Sequence, residues 1–86
     1  MAGRSIGGNY WQNFSSNAWR YENGVYKMTI SNDLHGLGFA CHLEVTRHDN
    51  GVYKPVVLHY EIDANGNITV FSNEAFTGVY YVKSGV

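Results

Sequence analysis

The sequence predicts an all-β domain, a small antiparallel β-sandwich or barrel of about six hairpin-linked strands. Three observations carry that expectation. Apolar residues recur at every second position through most of the chain, and no helical period exceeds one turn. Asn-Gly stands at 23–24, 50–51 and 65–66, and this pair best fills the two positive-φ positions of a tight hairpin. Finally, the residues flanking each Asn-Gly match inner side chain to inner side chain when the loop length is chosen by parity.

The elements follow in order. Residues 1–10 (MAGRSIGGNY) read as a flexible lead-in or expression scar, with Gly7-Gly8 as linker, and residues 11–86 as a single β domain. A strand over residues 17–22 carries Trp19 and Tyr21. In residues 25–31, Tyr26, Met28 and Ile30 share one face. Residues 39–48 set Phe39, Cys41, Leu43 and Val45 against Ala40, His42, Glu44, Thr46 and His48. Residues 56–63 set Val56, Leu58, Tyr60 and Ile62 against Val57, His59, Glu61 and Asp63. Shorter strands are expected over residues 67–72 and 79–83.

Register follows from parity. A two-residue loop at Asn23-Gly24 pairs Tyr21 with Tyr26 and Trp19 with Met28. The same loop at Asn50-Gly51 pairs Val45 with Val56, Leu43 with Leu58, Cys41 with Tyr60 and Phe39 with Ile62. At Asn65-Gly66 only a three-residue loop works, pairing Ile62 with Ile68 and Tyr60 with Val70. That implies a type I turn with Gly66 in the left-handed bulge position. Gly-Val-Tyr recurs at 24, 51 and 78, but the inner parity differs after the first two, so the repeat reads as a reused turn.

Composition excludes several functions. The net charge is −1, from 6 Lys+Arg and 7 Asp+Glu, so a phosphate-binding footprint is missing and no nucleic-acid partner is expected. No apolar run approaches the ~20 residues of a membrane helix, and residues 1–8 lack the apolar centre of a signal peptide. The single Cys41 cannot form an internal disulfide. A small domain with neither disulfide nor metal is expected to gain stability by oligomerising.

Candidate sites are few. In the chosen register His42 and His59 face each other outside the central hairpin, with Glu44 and Glu61 diagonal to them. This is a candidate metal pair, read more simply as a polar cross-strand patch. His35 and His48 read as surface residues beside turns, and Cys41 as a buried structural thiol. No nucleophile elbow, phosphate loop or acid–base pair is written in the chain, so no catalytic residue, cofactor or enzyme activity is expected. Asp63 to Asn67 lacks the ligand pattern of a calcium loop. The aromatics remain, at 15% of the chain: 7 Tyr, 4 Phe and 2 Trp. Parity puts Trp19, Tyr26, Tyr60 and Phe39 inside. Tyr10, Trp11, Tyr53, Tyr80 and Tyr81 are left as the expected subunit interface, with a sugar platform as the alternative use.

Residues 25–83 also carry a resemblance. Thr29-Ile30-Ser31-Asn32-Asp33-Leu34-His35-Gly36 ends a strand in a polar loop, and a long alternating strand and an Asp49-Asn50-Gly51 turn follow. Then come Ile62-Asp63-Ala64-Asn65, Ile68-Thr69-Val70-Phe71 and Ala75-Phe76-Thr77-Gly78. This order resembles small β-sandwich modules at the ends of bacteriophage tail-fibre and other virion structural proteins. Asp-Leu-His-Gly stands here where those modules often read His-Asn-Leu-Gly. The resemblance implies a non-enzymatic homotrimerisation or capping domain of a fibre, made in the bacterial cytoplasm and carried on the virion. It also permits binding to a host surface glycan or receptor. A small inhibitor of a host protein is the remaining alternative.

Overall fold

The structure is a computed structural model and describes the backbone of residues 3–6 and the whole of residues 9–85. Its strands are β1 (Gly3–Ile6), β2 (Asn9–Phe14), β3 (Arg20–Glu22), β4 (Val25–Ile30), β5 (Cys41–Asp49), β6 (Val52–Val56), β7 (Tyr60–Ile62), β8 (Ile68–Ser72) and β9 (Gly78–Ser84). A 3₁₀ turn at Ser16–Ala18 and a single-turn helix, α1 (Asn32–His35), interrupt them. The strands form two antiparallel sheets, ordered β1-β2-β9-β5-β6 and β3-β4-β8-β7. The fold is therefore the expected all-β sandwich. Among the described residues no helix is long and apolar enough to cross a membrane.

The core lies between the sheets. Tyr10 and Phe14 of β2, Leu43 and Val45 of β5, and Tyr80 and Val82 of β9 point inward from one side. Met28 and Ile30 of β4 and Ile68 and Val70 of β8 meet them from the other. Burying each large apolar side chain contributes roughly 1.5–3 kcal/mol. One end closes around Phe14, whose ring lies 5.8 Å from Trp19, 5.6 Å from Phe76 and 6.1 Å from Tyr80. The Trp19 indole N–H donates to the Phe76 carbonyl at 2.9 Å, so the buried polar atom is satisfied.

The hairpin grammar holds locally. Asn23 and Asn50 have φ of 52° and 51°, as a two-residue type I′ loop requires, and Tyr21↔Tyr26 and Val45↔Val56 are paired as parity expects. The third turn is the three-residue one: the Gly66 N–H donates to the Asp63 carbonyl, the Asp63 N–H donates to the Asn67 carbonyl, and Ile62 pairs with Ile68. The Gly-Val-Tyr repeat is a reused turn at Gly24 and Gly51. Gly78, by contrast, starts β9, where an added Cβ would lie 1.9 Å from the Thr46 carbonyl oxygen.

Five expectations are corrected. Gly3–Ile6 is a strand paired to β2, so the lead-in is not wholly irregular, while Gly7 and Gly8 lie outside the described residues. Residues 16–18 form a 3₁₀ turn, which shortens the strand expected over 17–22, so the expected Trp19–Met28 pair is not in the ladder and Tyr21 stays exposed against Tyr26. The β5–β6 hairpin ends at Val45↔Val56. The chain then crosses to the other sheet, so Leu43, Cys41 and Phe39 never pair with Leu58, Tyr60 and Ile62. Instead Leu43 pairs with Val82 of β9, its N–H donates to the Tyr60 hydroxyl at 3.2 Å, and Phe39 is exposed. Residues 9–14, which the sequence reading divides between the lead-in and the start of the domain, form strand β2, with Tyr10 and Phe14 turned into the core.

His35 is the fifth correction, because it is buried rather than superficial. Ser31 caps α1 by accepting from the Asp33 N–H, and Gly36 ends it in the left-handed conformation. This single turn sets His35 against the Asn65-Gly66 turn. Its Nδ1 accepts from the Leu37 N–H at 3.0 Å, so Nε2 carries the hydrogen and donates to the Gly66 carbonyl at 2.7 Å. Asn67 Oδ1 accepts from the Asn32 N–H, and Asn32 Oδ1 accepts from the Gly38 N–H, both at 2.9 Å. The Asp63 carboxylate in turn accepts from the backbone N–H groups of Asn65 and Asn67.

Two predictions follow from this clamp. Gly66 has φ +87°, and an added Cβ would sit 2.8 Å from the Gly38 backbone, whereas Gly24 at φ +83° faces open space. Gly24→Ala is expected to cost about 1–2 kcal/mol for the left-handed backbone alone. Gly66→Ala is expected to cost about 2–5 kcal/mol, because overpacking adds to that, and urea unfolding of both variants measures the difference. The Asn67 N–H, with further bonds from Asn65 and Gly66, holds the Asp63 carboxyl below its ordinary value of 3.8. The turn is thus stabilised above that value and loses the contribution as pH falls through it. Asp63→Asn is expected to flatten the acid limb of a thermal-melt series against pH.

Candidate functional site

β9 decides the site. It lies between β2 and β5, and its alternation sends Tyr80 and Val82 inward and Val79 and Tyr81 outward. On the outer face three cross-strand rows result. Trp11, Tyr81 and Glu44 form the first, and Asn13, Val79, Thr46 and Pro55 the second. His48 and Tyr53 form the third, with rings stacked 4.6 Å apart. Trp11, Tyr53, Val79 and Tyr81 together wall a shallow cavity of about 220 Å³. Trp11 is 38% exposed and Tyr53 52%, while Val79 beneath them is 7% exposed.

The rim is polar and nearly neutral. The Lys83 ammonium meets the Glu44 carboxylate at 3.1 Å, and the Thr46 hydroxyl donates to the Val79 carbonyl at 3.2 Å. The opposite face of the sandwich has a different character. There Glu22 pairs with Lys27 at 3.2 Å and Arg20 at 3.7 Å, and His59 pairs with Glu61 at 3.1 Å. Lys27 and His59 also cover Phe71, at 5.6 Å and 5.2 Å from its ring centre. That face covers its outer aromatic ring, Phe71, with charged and polar side chains, whereas on the face of β2, β9, β5 and β6 Trp11 and Tyr53 stay open to solvent.

The five aromatics expected at an interface therefore divide. Trp11, Tyr53 and Tyr81 do converge on one outer face. Tyr10 and Tyr80 do not, because at 6% and 4% exposed they belong to the core of the single chain. Tyr10 donates its hydroxyl hydrogen to the Gln12 side-chain carbonyl. Burial, with the Tyr10 hydroxyl second, raises the pKa of Tyr80 well above the usual tyrosine range. Val79 joins Trp11, Tyr53 and Tyr81 at the site, and its place between Gly78 and Tyr80-Tyr81 puts it on the parity of Tyr81.

The His42–His59 pair does not form. His42 lies opposite Lys83 on β5, whereas His59 follows the crossover and stands beside the other sheet. Among the described residues no group of three or more His, Cys, Asp or Glu comes together as a metal site. Cys41 is half-buried, its thiol donates to the Gly38 carbonyl at 3.4 Å, and burial pushes its pKa up. A raised thiol pKa works against nucleophilic use.

A second apolar depression, of about 320 Å³, opens beside the first. Leu43, Val45, Val56, Val57, Leu58 and Tyr60 line it where β6 leaves its sheet. Glu44, Thr46 and Pro55, which share cross-strand rows with Tyr81 and Val79, line it as well. Comparison with protein-family models, curated proteins and solved structures finds no match for this chain.

Tyr80 makes the core sensitive to alkali. Its raised folded pKa means its contribution is complete below about pH 10, the value of an exposed tyrosine, and is lost as pH rises beyond it. Tyr80→Phe is expected to move the alkaline unfolding midpoint to higher pH, as followed by near-ultraviolet circular dichroism.

Proposed function

We propose that this chain is a non-enzymatic structural module that assembles with copies of itself through the outer face of β2, β9, β5 and β6. The observation that carries the reading is the convergence of Trp11, Tyr53 and Tyr81 over Val79 on a face where, among the described side chains, Lys83 is balanced by Glu44. A near-neutral face of this kind meets its own copy without like-charge repulsion. Its aromatic side chains are also the type enriched at the centres of interfaces. The resemblance of residues 25–83 to phage fibre modules supplies the setting: a homotrimerisation or capping domain of a virion fibre.

A second reading is favoured by one observation. The cavity of about 220 Å³ has stacking walls and a rim of Glu44, His48 and Lys83, which suits a single sugar ring of a host-surface glycan.

Light scattering coupled to size-exclusion chromatography separates the two. The full chain is expected to run as a trimer at micromolar concentration, and Trp11→Ala is expected to weaken association by about 30-fold or more. A monomer whose tryptophan fluorescence responds to added monosaccharides, with the response lost in Trp11→Ala, would select the glycan reading instead.

A further inference from the structure

We infer that the three Asn-Gly turns are chemically unequal: Asn23 and Asn50 are sites of spontaneous deamidation, and Asn65 is protected by the fold. The inference is independent of the assembly reading above, because it concerns bonds within one chain.

The chemistry is that of any Asn-Gly pair. The glycine amide nitrogen gives its proton to hydroxide and attacks the carbonyl carbon of the asparagine side chain. A carbon–nitrogen bond closes a succinimide ring, and the side-chain nitrogen leaves as ammonia. Water then opens the ring at either carbonyl, giving aspartate or isoaspartate. The sum is asparagine plus water to acid plus ammonia, with no oxidant and no enzyme. Glycine is the most permissive successor, because it has no Cβ to shield its nitrogen or to hinder the backbone rotation that attack requires. By sequence, Asn23, Asn50 and Asn65 therefore carry the same reactive pair.

The attacking nitrogen is in two different states. Gly24 and Gly51 are exposed, an added Cβ at either would meet nothing within 4 Å, and neither N–H donates to a backbone group among the described residues. Gly66 is buried, and its N–H donates to the Asp63 carbonyl at 3.0 Å. The Gly38 backbone lies 2.8 Å from where a Cβ of Gly66 would stand. Water and hydroxide reach the first two nitrogens and not the third.

Each turn must also open, because the hairpin holds Asn23 and Asn50 at φ of 52° and 51° and attack needs the backbone to rotate. The rate then follows how easily each turn frays. The Asn23 turn joins β4 to β3, an edge strand of three residues, all exposed. The Asn50 turn is tied more firmly, by five strand pairs, the His48–Tyr53 stack and an Asp49–Lys54 ion pair at 3.5 Å. The Asn65 turn cannot open alone. The Asp63 carboxylate accepts from the Asn65 and Asn67 N–H groups, and the His35 ring holds the Gly66 carbonyl at 2.7 Å. The order of reaction is Asn23, then Asn50, then Asn65.

The products bear on the aromatic face. Each conversion adds a negative charge to a chain of net charge −1. Isoaspartate also routes the main chain through Cβ and so lengthens it by one carbon. At Asn50 that carbon enters the turn between His48 and Tyr53, and it disturbs the pairing that sets Tyr53 beside Trp11 and Tyr81.

The test incubates the full chain in mildly alkaline buffer and follows each turn by peptide mapping with mass spectrometry, beside the same chain unfolded in guanidinium. In guanidinium the three turns are expected to convert at similar rates. In the folded chain Asn23 is expected to convert first, and Asn65 about tenfold or more slowly than Asn23. His35→Ala frees the Gly66 carbonyl and is expected to raise the Asn65 rate while leaving the Asn23 rate unchanged. Should that variant unfold, all three rates rise together to the guanidinium values, and the unaltered chain, folded against unfolded, decides the question alone. Asn65 converting as fast as Asn23 in the folded chain, or Asn23 and Asn50 both staying as slow as Asn65, would overturn the inference.

Discussion

A strand cannot put two consecutive side chains on the same side of a sheet, and in β9 this constraint divides the molecule's inside from its functional outside. Tyr80 and Val82 enter the core, and Val79 and Tyr81 are left on the far face. Because β9 pairs with both β2 and β5, its alternation propagates to Tyr10 and Trp11 on one side and to Val45 and Glu44 on the other. Gly78 at its start allows Thr46 and Arg47 to approach closely. The aromatic cluster of Phe14, Trp19, Phe76 and Tyr80 then closes that end of the core, each ring pair adding about 0.5–1.5 kcal/mol beyond area burial.

The crossover between β6 and β7 is the second decisive feature. A continuous alternating run over residues 56–63 reads as one strand, yet the chain uses its two halves in different sheets. Val56 finishes the pairing with β5, and Tyr60 begins the pairing with β8. The Tyr60 hydroxyl accepts the Leu43 N–H, which β6 no longer serves. Val57 is pushed fully into solvent by the bend, and the side of the sandwich is left open beside it. The same crossover separates His42 from His59 and so dissolves the candidate metal pair.

The loop carrying His35 ties the two ends of the chain's middle together. A four-residue helix is too short to be stable by itself. It persists because the Asn32 N–H and the His35 side chain bond to the Asp63–Asn67 turn, while the Ser31 cap and the left-handed Gly36 close the helix on itself. A histidine with both ring nitrogens satisfied by backbone groups, at about 1 kcal/mol net per bond, is an anchor rather than a surface residue.

Local signals in the sequence were enough for the fold class, for all three turns and for most inner residues of β4, β5 and β8. Asn-Gly chemistry and period-2 burial act over a few residues, and no long-range fact can change them. The choice between one long hairpin and a crossover was not legible, because a β5–β6 ladder and a β5–β9 ladder satisfy the same parity at Leu43. Nor was the division of the aromatics: Tyr80 and Tyr81 are equivalent until the partner strands say which side is covered. His35 and Val57 show the same limit from opposite directions, one polar and buried, the other apolar and exposed. The sequence by itself determined how each strand alternates and where the chain turns. Only the tertiary structure decided which face each alternation buries, because that depends on what the opposite sheet brings against it.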